Sequence, residues 1–183
     1  MRAMARLHLD TDLGGDPDDA CALAMLLGWP DAELVGITTT IDPGGRRAGC
    51  VEHMLRLAGR DDIPVVAGAA MSLTRREVAE PATGDPRHWP LDPPARPAPA
   101  GAALDALERA IDLGATLVTI GPLTNLAVLE AVRPGALARA PWSPWAAGSC
   151  RRVRGCRPGD RSGTGTSSGT PTPRRPSSRR PGT

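Results

Sequence analysis

The chain has 183 residues with 22 basic and 20 acidic side chains, a net charge of +2, 40% hydrophobic residues and only 2% aromatic ones. That composition suits one ordinary domain with a core. Every basic residue is Arg, and Lys, Gln, Phe and Tyr are absent, so chemistry that needs a Lys or a Tyr is excluded. The small net charge hides an asymmetry: residues 1–138 carry 12 Arg and 19 acids, whereas residues 139–183 carry 10 Arg and one acid. No apolar run approaches the ~20 residues that span a bilayer, and the N-terminus lacks the pattern of a signal peptide, so a cytoplasmic protein with no membrane partner is expected. The four cysteines, Cys21, Cys50, Cys150 and Cys156, match neither a disulfide framework nor a zinc spacing.

In chain order, Arg6 to Asp10 alternates like a short strand, and an apolar run from Ala20 to Trp29 reads as a helix after an acidic loop. That helix is apolar nearly all round, so it is expected to be buried. Glu33 to Ile41 is β-branched, Gly45 to Gly59 has helical periodicity, and Pro64 to Ala67 reads as a short strand. A Pro-rich stretch from Met71 to Pro99 interrupts the rhythm. A helix over Gly101 to Leu113, a strand over Thr116 to Ile120 and a helix over Leu123 to Val132 then follow. Alternation of this kind predicts an α/β fold with a doubly wound, mostly parallel sheet. From residue 139 onward, 26 of the 45 residues are Pro, Gly, Ser or Thr and most of the others are Arg or small. The expected organisation is therefore an α/β domain over 1–138 and a disordered tail over 139–183.

The segment Asp10-Thr-Asp-Leu-Gly-Gly-Asp-Pro-Asp-Asp-Ala20 gathers five carboxylates at the carboxyl end of the first strand. In open α/β sheets ligands bind at that edge. Asp16 is explained as a helix cap, with Pro17 at the first helical position and Asp18 and Asp19 facing the helix dipole. Asp10 and Asp12 lie before the cap and are not so explained. Like charges there raise one another's pKa unless a cation compensates, and carboxylates without His or Cys favour Ca²⁺ or Mg²⁺.

The run D-T-D-L-G-G-D-P-D-D-A resembles the aspartate signature of nucleoside hydrolases of the inosine-uridine-preferring type. Gly36-Ile-Thr-Thr-Thr40 resembles that family's second strand, and Ile120-Gly-Pro-Leu-Thr-Asn-Leu126 its strand-to-helix turn near the metal. The resemblance runs from about Arg6 to Pro134. It implies a calcium cofactor, a nucleoside substrate, hydrolysis of the N-glycosidic bond to free base and ribose, and a homo-oligomeric enzyme. By the same resemblance Asp12 is the general base acting on a calcium-held water and itself a metal ligand. Asp19 and the Ile120 carbonyl are further ligands, Asp10 supports the metal site, and Asp18 orients a ribose hydroxyl. Where the family often has an Asn after its second strand, this chain has Asp42-Pro43, and Asp42 is the substitute ribose contact. Asn125 reads more simply as a turn or helix-cap residue.

A positioned acid eases departure of the base. His8, inside the first strand, reads as structural, and His53, in a helix, as a surface residue. His88 stands on the long loop that borders the pocket and is either an ordinary loop residue or a substrate contact.

Near Arg139 the family pattern stops where another strand is due. Shifting the reading of Pro141-Trp-Ser-Pro-Trp-Ala-Ala147 by one base permits V-V-A-M-G-G, and the same offset permits W-N-V-Q over Thr164 to Ser168 and D-P-E-A-A over Pro171 to Pro176. These resemble later family segments in the right order, so the tail is expected to be out of frame and the chain as translated inactive. Two other readings compete. One is a haloacid-dehalogenase-like Mg²⁺ phosphohydrolase with Asp10 as nucleophile, which lacks the customary Lys and leaves Asp18-Asp19 and I-G-P-L-T-N unexplained. The other is a non-catalytic domain whose basic tail binds RNA without sequence preference. No specific nucleic-acid partner is expected.

Overall fold

In the computed structural model, residues 4–73 and 93–144 are described, and they belong to one compact unit, Met1–Ser149. His88 and most of the expected tail, from residue 145 on, lie outside the described residues.

Five strands form one parallel sheet in the order β3-β2-β1-β4-β5. They are β1 (Ala5–Thr11), β2 (Ala32–Thr39), β3 (Val65–Ala67), β4 (Thr116–Thr119) and β5 (Trp142–Pro144). Between them run α1 (Asp18–Leu27), α2 (Arg46–Leu57), α3 (Ala102–Asp112), α4 (Thr124–Val132) and α5 (Ala136–Arg139). The chain moves outward from β1 through β2 to β3, then crosses back to place β4 on the other side of β1. That reversal makes the sheet doubly wound, as the alternating pattern predicts, and opens a crevice at the carboxyl ends of β1 and β4.

Alternation along the strands sorts the core into two layers. Leu9, Ile37 and Leu34 join Leu23, Leu26, Val51 and Leu55 from α1 and α2 on one face. Leu117 joins Leu107, Ile111, Leu126 and Leu129 from α3 and α4 on the other. The pairing of β1 with β2 slips between Leu7 and His8, where Leu7 meets Leu34 and His8 meets Gly36, so Val35 is the extra residue of a bulge. His8 and Asp10 point toward the α3 and α4 face, opposite Leu9.

Three expectations are corrected. Helix α1 buries only Leu23 and Leu26, while Met25 is 60% exposed, because it packs on one sheet face and no second layer covers it among the described residues. Asp16 does not cap α1. The helix starts at Asp18 after Pro17, without a side-chain cap bond, and Asp16 is exposed. The boundary expected between residues 138 and 139 falls inside α5. Arg139 pairs with Asp112 at 3.0 Å and Glu108 at 3.2 Å on α3, and the Leu117 amide donates to the Pro141 carbonyl at 2.9 Å as β5 joins the sheet. Backbone pairing at an open sheet edge asks little of the side chains, so a Pro-containing segment can supply it.

Candidate active site

Asp10 ends β1 in the sheet's interior and is fully buried. Its Oδ1 accepts from the Thr38 hydroxyl at 2.6 Å and from Asn125 Nδ2 at 2.8 Å, while Oδ2 has no partner among the described residues. Burial lifts its pKa to about 6, against the pull of those two donors. A buried carboxylate oxygen without a donor is costly unless something positive or protic answers it.

Two residues on, the chain leaves the strand. Asp12 is half-buried, and Gly121, just after β4, lies directly against it: a Cβ on Gly121 would stand 2.9 Å from both the Asp12 amide nitrogen and Oδ1. The Ile120 amide donates to the Asp10 carbonyl at 2.9 Å, which extends the β1–β4 pairing one step and brings the Ile120–Gly121 peptide beside the Asp12 loop. Asp19, in the first turn of α1, lies near enough to Asp12 to feel its charge. Burial first, and then the Asp12 charge, hold the Asp19 carboxyl well above the usual carboxylate range, opposed by a bond from the Thr11 hydroxyl. Asp18, beside it, is exposed.

Asp10, Asp12, Asp19 and Ile120 are therefore brought to one end of the sheet, at the topological switch point between β1 and β4. Asp12 and Asp19 converge on one another, whereas Asp10 is held behind them by Thr38 and Asn125. Among the described residues no group of three His, Cys, Asp or Glu side chains is gathered as a complete cage. The donor set is nonetheless all oxygen, with two crowded carboxylates, a buried oxygen without a donor and a neighbouring backbone turn. It fits a hard cation that takes further oxygens from water or backbone.

Asp42 is engaged within the fold. It is 3% exposed, its Oδ2 accepts from the Thr39 hydroxyl at 2.7 Å and the Ala48 amide at 3.0 Å, and its Oδ1 accepts from the Arg47 amide at 2.8 Å. It satisfies the free amides at the start of α2 and so has a capping role where a ribose contact was expected. Asn125 departs from its expected part in the other direction. It caps nothing. Its amide donates to Asp10 Oδ1 and to the Thr39 carbonyl, both at 2.8 Å, while its Oδ1 accepts from the Ala69 amide at 2.8 Å. Arg47, which no sequence signal singled out, reaches from α2 to the Asp12 carbonyl, to the Leu13 carbonyl at 3.3 Å and to the Ile41 carbonyl at 2.9 Å. It pins the loop that carries Asp12. His8 is 2% exposed, as the structural reading expects, and burial depresses its pKa to about 4, with the Arg109 charge adding to the effect.

A doubly wound sheet with an aspartate loop at its switch point defines an α/β domain whose candidate site is built from strand-end carboxylates. The chain belongs to the inosine-uridine preferring nucleoside hydrolase family, whose model matches residues 7–151. It is 37% identical over 134 residues to the pyrimidine-specific ribonucleoside hydrolase RihA of Shewanella sp. (strain MR-4), covering 67% of this chain and 41% of that one. Among solved structures it is similar to a plant nucleoside hydrolase, PpNRh1, with a TM-score of 0.63 and 26% identity over 76% of this chain and 47% of that one. It is also similar to a purine-preferring ribonucleoside hydrolase from Gardnerella vaginalis, with a TM-score of 0.62 and 25% identity over 76% and 48% of the two chains. The chain spans about half the length of the curated relatives it matches. Family membership sets aside the phosphohydrolase reading, and the burial of Asp10 agrees, since a nucleophile must reach its substrate. No helix among the described residues is long and apolar enough to cross a membrane.

Proposed function

We propose that this site serves the calcium-dependent hydrolysis of the N-glycosidic bond of ribonucleosides, releasing free base and ribose. The observation that carries the proposal is the gathering of Asp10, Asp12, Asp19 and Ile120 at the switch point, with the buried Asp10 Oδ2 left without a donor among the described residues. Asp12, Asp19 and the Ile120 carbonyl would hold the ion, with Asp10 behind them. When bound, Ca²⁺ supplies positive charge that acidifies a water and relieves the crowding of the carboxylates. Asp12 accepts the water's proton, the oxygen attacks the anomeric carbon as the C–N bond breaks through an oxocarbenium-like state, and the base leaves with the bonding electrons and takes a proton from solvent. Asp18, exposed at the start of α1, would accept a hydrogen bond from a ribose hydroxyl. Arg47, bonded to the Asp12 and Leu13 carbonyls, and Gly121, packed against the Asp12 amide and Oδ1, keep the Asp12 loop in position. The pyrimidine-specific and purine-preferring relatives differ in base, so the substrate class proposed is ribonucleosides in general.

The experiment measures reducing-sugar release from inosine and uridine, with Ca²⁺ and with chelator, by the protein translated with its reading frame restored after Leu137 and by the Asp12→Asn variant of that protein, beside calorimetric Ca²⁺ titration of the 183-residue chain. Asn keeps the shape and one oxygen but cannot take the proton at neutral pH, so turnover should fall ~10²–10⁴-fold while the fold persists. Turnover in chelator equal to that in Ca²⁺, or phosphate release from phosphomonoesters, would overturn the proposal.

A further inference from the structure

Asp10 is oriented by a hydrogen-bonded line that begins two residues earlier on the same face of β1. His8 Nε2 lies 3.1 Å from Thr38 Oγ1, and Thr38 Oγ1 lies 2.6 Å from Asp10 Oδ1. A hydroxyl has one proton. The short contact to a carboxylate oxygen takes it, so the Thr38 oxygen is left as an acceptor toward His8, and the ring must donate through Nε2–H. The line therefore runs one way, from His8 to Thr38 to Asp10, and meets the Asn125 amide arriving at the same Oδ1 from α4. With both donors on Oδ1, Oδ2 is the oxygen left for the site.

The fold makes deliberate room for this ring. The bulge at Val35 sets Gly36 opposite His8, and a Cβ on Gly36 would stand 3.1 Å from the ring's Nδ1. On that side a cavity of about 110 Å³ lies between α3 and strands β1 to β3, lined by His8, Gly36, Val66, Ala106, Arg109 and Leu113 among others. The bare Nδ1 can take a proton donor from water there, which leaves the Nε2 end committed to Thr38.

The geometry points to His8 as a positioning residue that acts through Thr38 to fix the rotamer and hydrogen-bond polarity of Asp10, so that Oδ2 is presented toward the metal end of the sheet. Its link to the metal rests on the calcium reading above, whereas the direction of the line does not.

The test uses the 183-residue chain labelled with ¹⁵N-histidine, with His8 assigned by comparison with His8→Gln. At pH 7 the His8 ring should carry its proton on Nε2 with Nδ1 bare. Thr38→Val, which keeps the shape and removes the hydroxyl, should shift the tautomer balance, and Thr38→Ser should restore it. A wild-type ring protonated at Nδ1, or ring shifts indifferent to Thr38→Val, would overturn the inference. If Thr38→Val does not fold, the wild-type spectrum alone decides the direction. The positioning role is read by Ca²⁺ calorimetry. His8→Gln, whose amide can reach Thr38, should stay close to wild type, and His8→Leu should bind about 10-fold more weakly. Equal affinity in all three would overturn the positioning role. Absence of binding in all three with the Nε2–H tautomer intact would support the line and remove the calcium reading instead.

Discussion

Asn125 and Asp10 stand 115 positions apart in the chain and meet through a 2.8 Å hydrogen bond in the interior. One side chain, donating twice and accepting once, thereby ties β1, the end of β2 and the segment after β3 to the start of α4. Gly68 packs against it so tightly that a Cβ there would stand 2.5 Å from Asn125 Oδ1.

Asn125→Ala should cost about 2–4 kcal/mol, because it leaves the part-buried Ala69 amide and the Thr39 carbonyl without this partner and takes one of two donors from Asp10 Oδ1, and each unmade partner costs about 1–3 kcal/mol. Asn125→Asp should be worse at neutral pH, since it replaces the two donated bonds by a second negative charge against Asp10. Urea denaturation of the two variants gives the order, and an Asp variant as stable as wild type would contradict it.

Asp10→Asn should stabilise the calcium-free protein at pH 7. The Asp10 pKa is raised to about 6 from 3.8, so its contribution to stability is present below about pH 4 and is lost as pH rises through 6. The loss is at most about 3 kcal/mol at neutral pH, offset in the variant by the unpaired amide that replaces Oδ2. His8 has the opposite sign: its pKa is depressed to about 4 from 6.5, so its contribution is present above 6.5 and lost as pH falls through 4. Removing Asp10 leaves the His8 slope unopposed. Thermal melts in chelator should show Asp10→Asn above wild type at pH 7 and falling more steeply between pH 6.5 and 4.

Arg47→Lys should fail to replace Arg47. The guanidinium serves carbonyls of Leu13 and Ile41, and also Asp12, from two nitrogens held in one plane, whereas an ammonium is a single point donor. Both Arg47→Lys and Arg47→Met should lose about 1–3 kcal/mol and weaken Ca²⁺ binding. Calorimetry with the Lys variant at wild-type affinity would show that the Asp12 loop holds itself.

Gly121→Ala should displace Asp12, since its methyl would stand 2.9 Å from Asp12 and from Thr40 Cγ2, whereas Gly15→Ala meets nothing within 4 Å. Overpacking of this kind costs about 1–3 kcal/mol. Calcium titration should separate the two alanines, with the loss confined to position 121.

The reading-frame expectation is tested on the coding DNA. Restoring one base near the codons for Leu137 to Pro141 should open a frame that continues through V-V-A-M-G-G and D-P-E-A-A, and its product should release base and ribose with Ca²⁺. An early stop codon in the offset frame, or robust turnover by the 183-residue chain itself, would sink that expectation.

Local chemistry made much of this legible in the amino-acid order alone. The strand, acidic loop and helix from Arg6 to Leu27 are contiguous, so alternation followed by helical periodicity reveals them, and Asp10, Asp12 and Asp19 fall at one strand end wherever the rest of the chain goes. The alternating units likewise set a parallel, doubly wound sheet before any contact is known. Tertiary structure decided what each polar group faces. Asp42 became a cap because α2 begins beside it, Asn125 became the tie across the sheet ends because the crossover to β4 brings α4 over Asp10, and His8 became a donor because a bulge places Gly36 and Thr38 around its ring. Periodicity records which face of an element is apolar, but a hydrogen bond depends on the distance between atoms that lie 28 or 115 residues apart, and only the folded chain sets that distance.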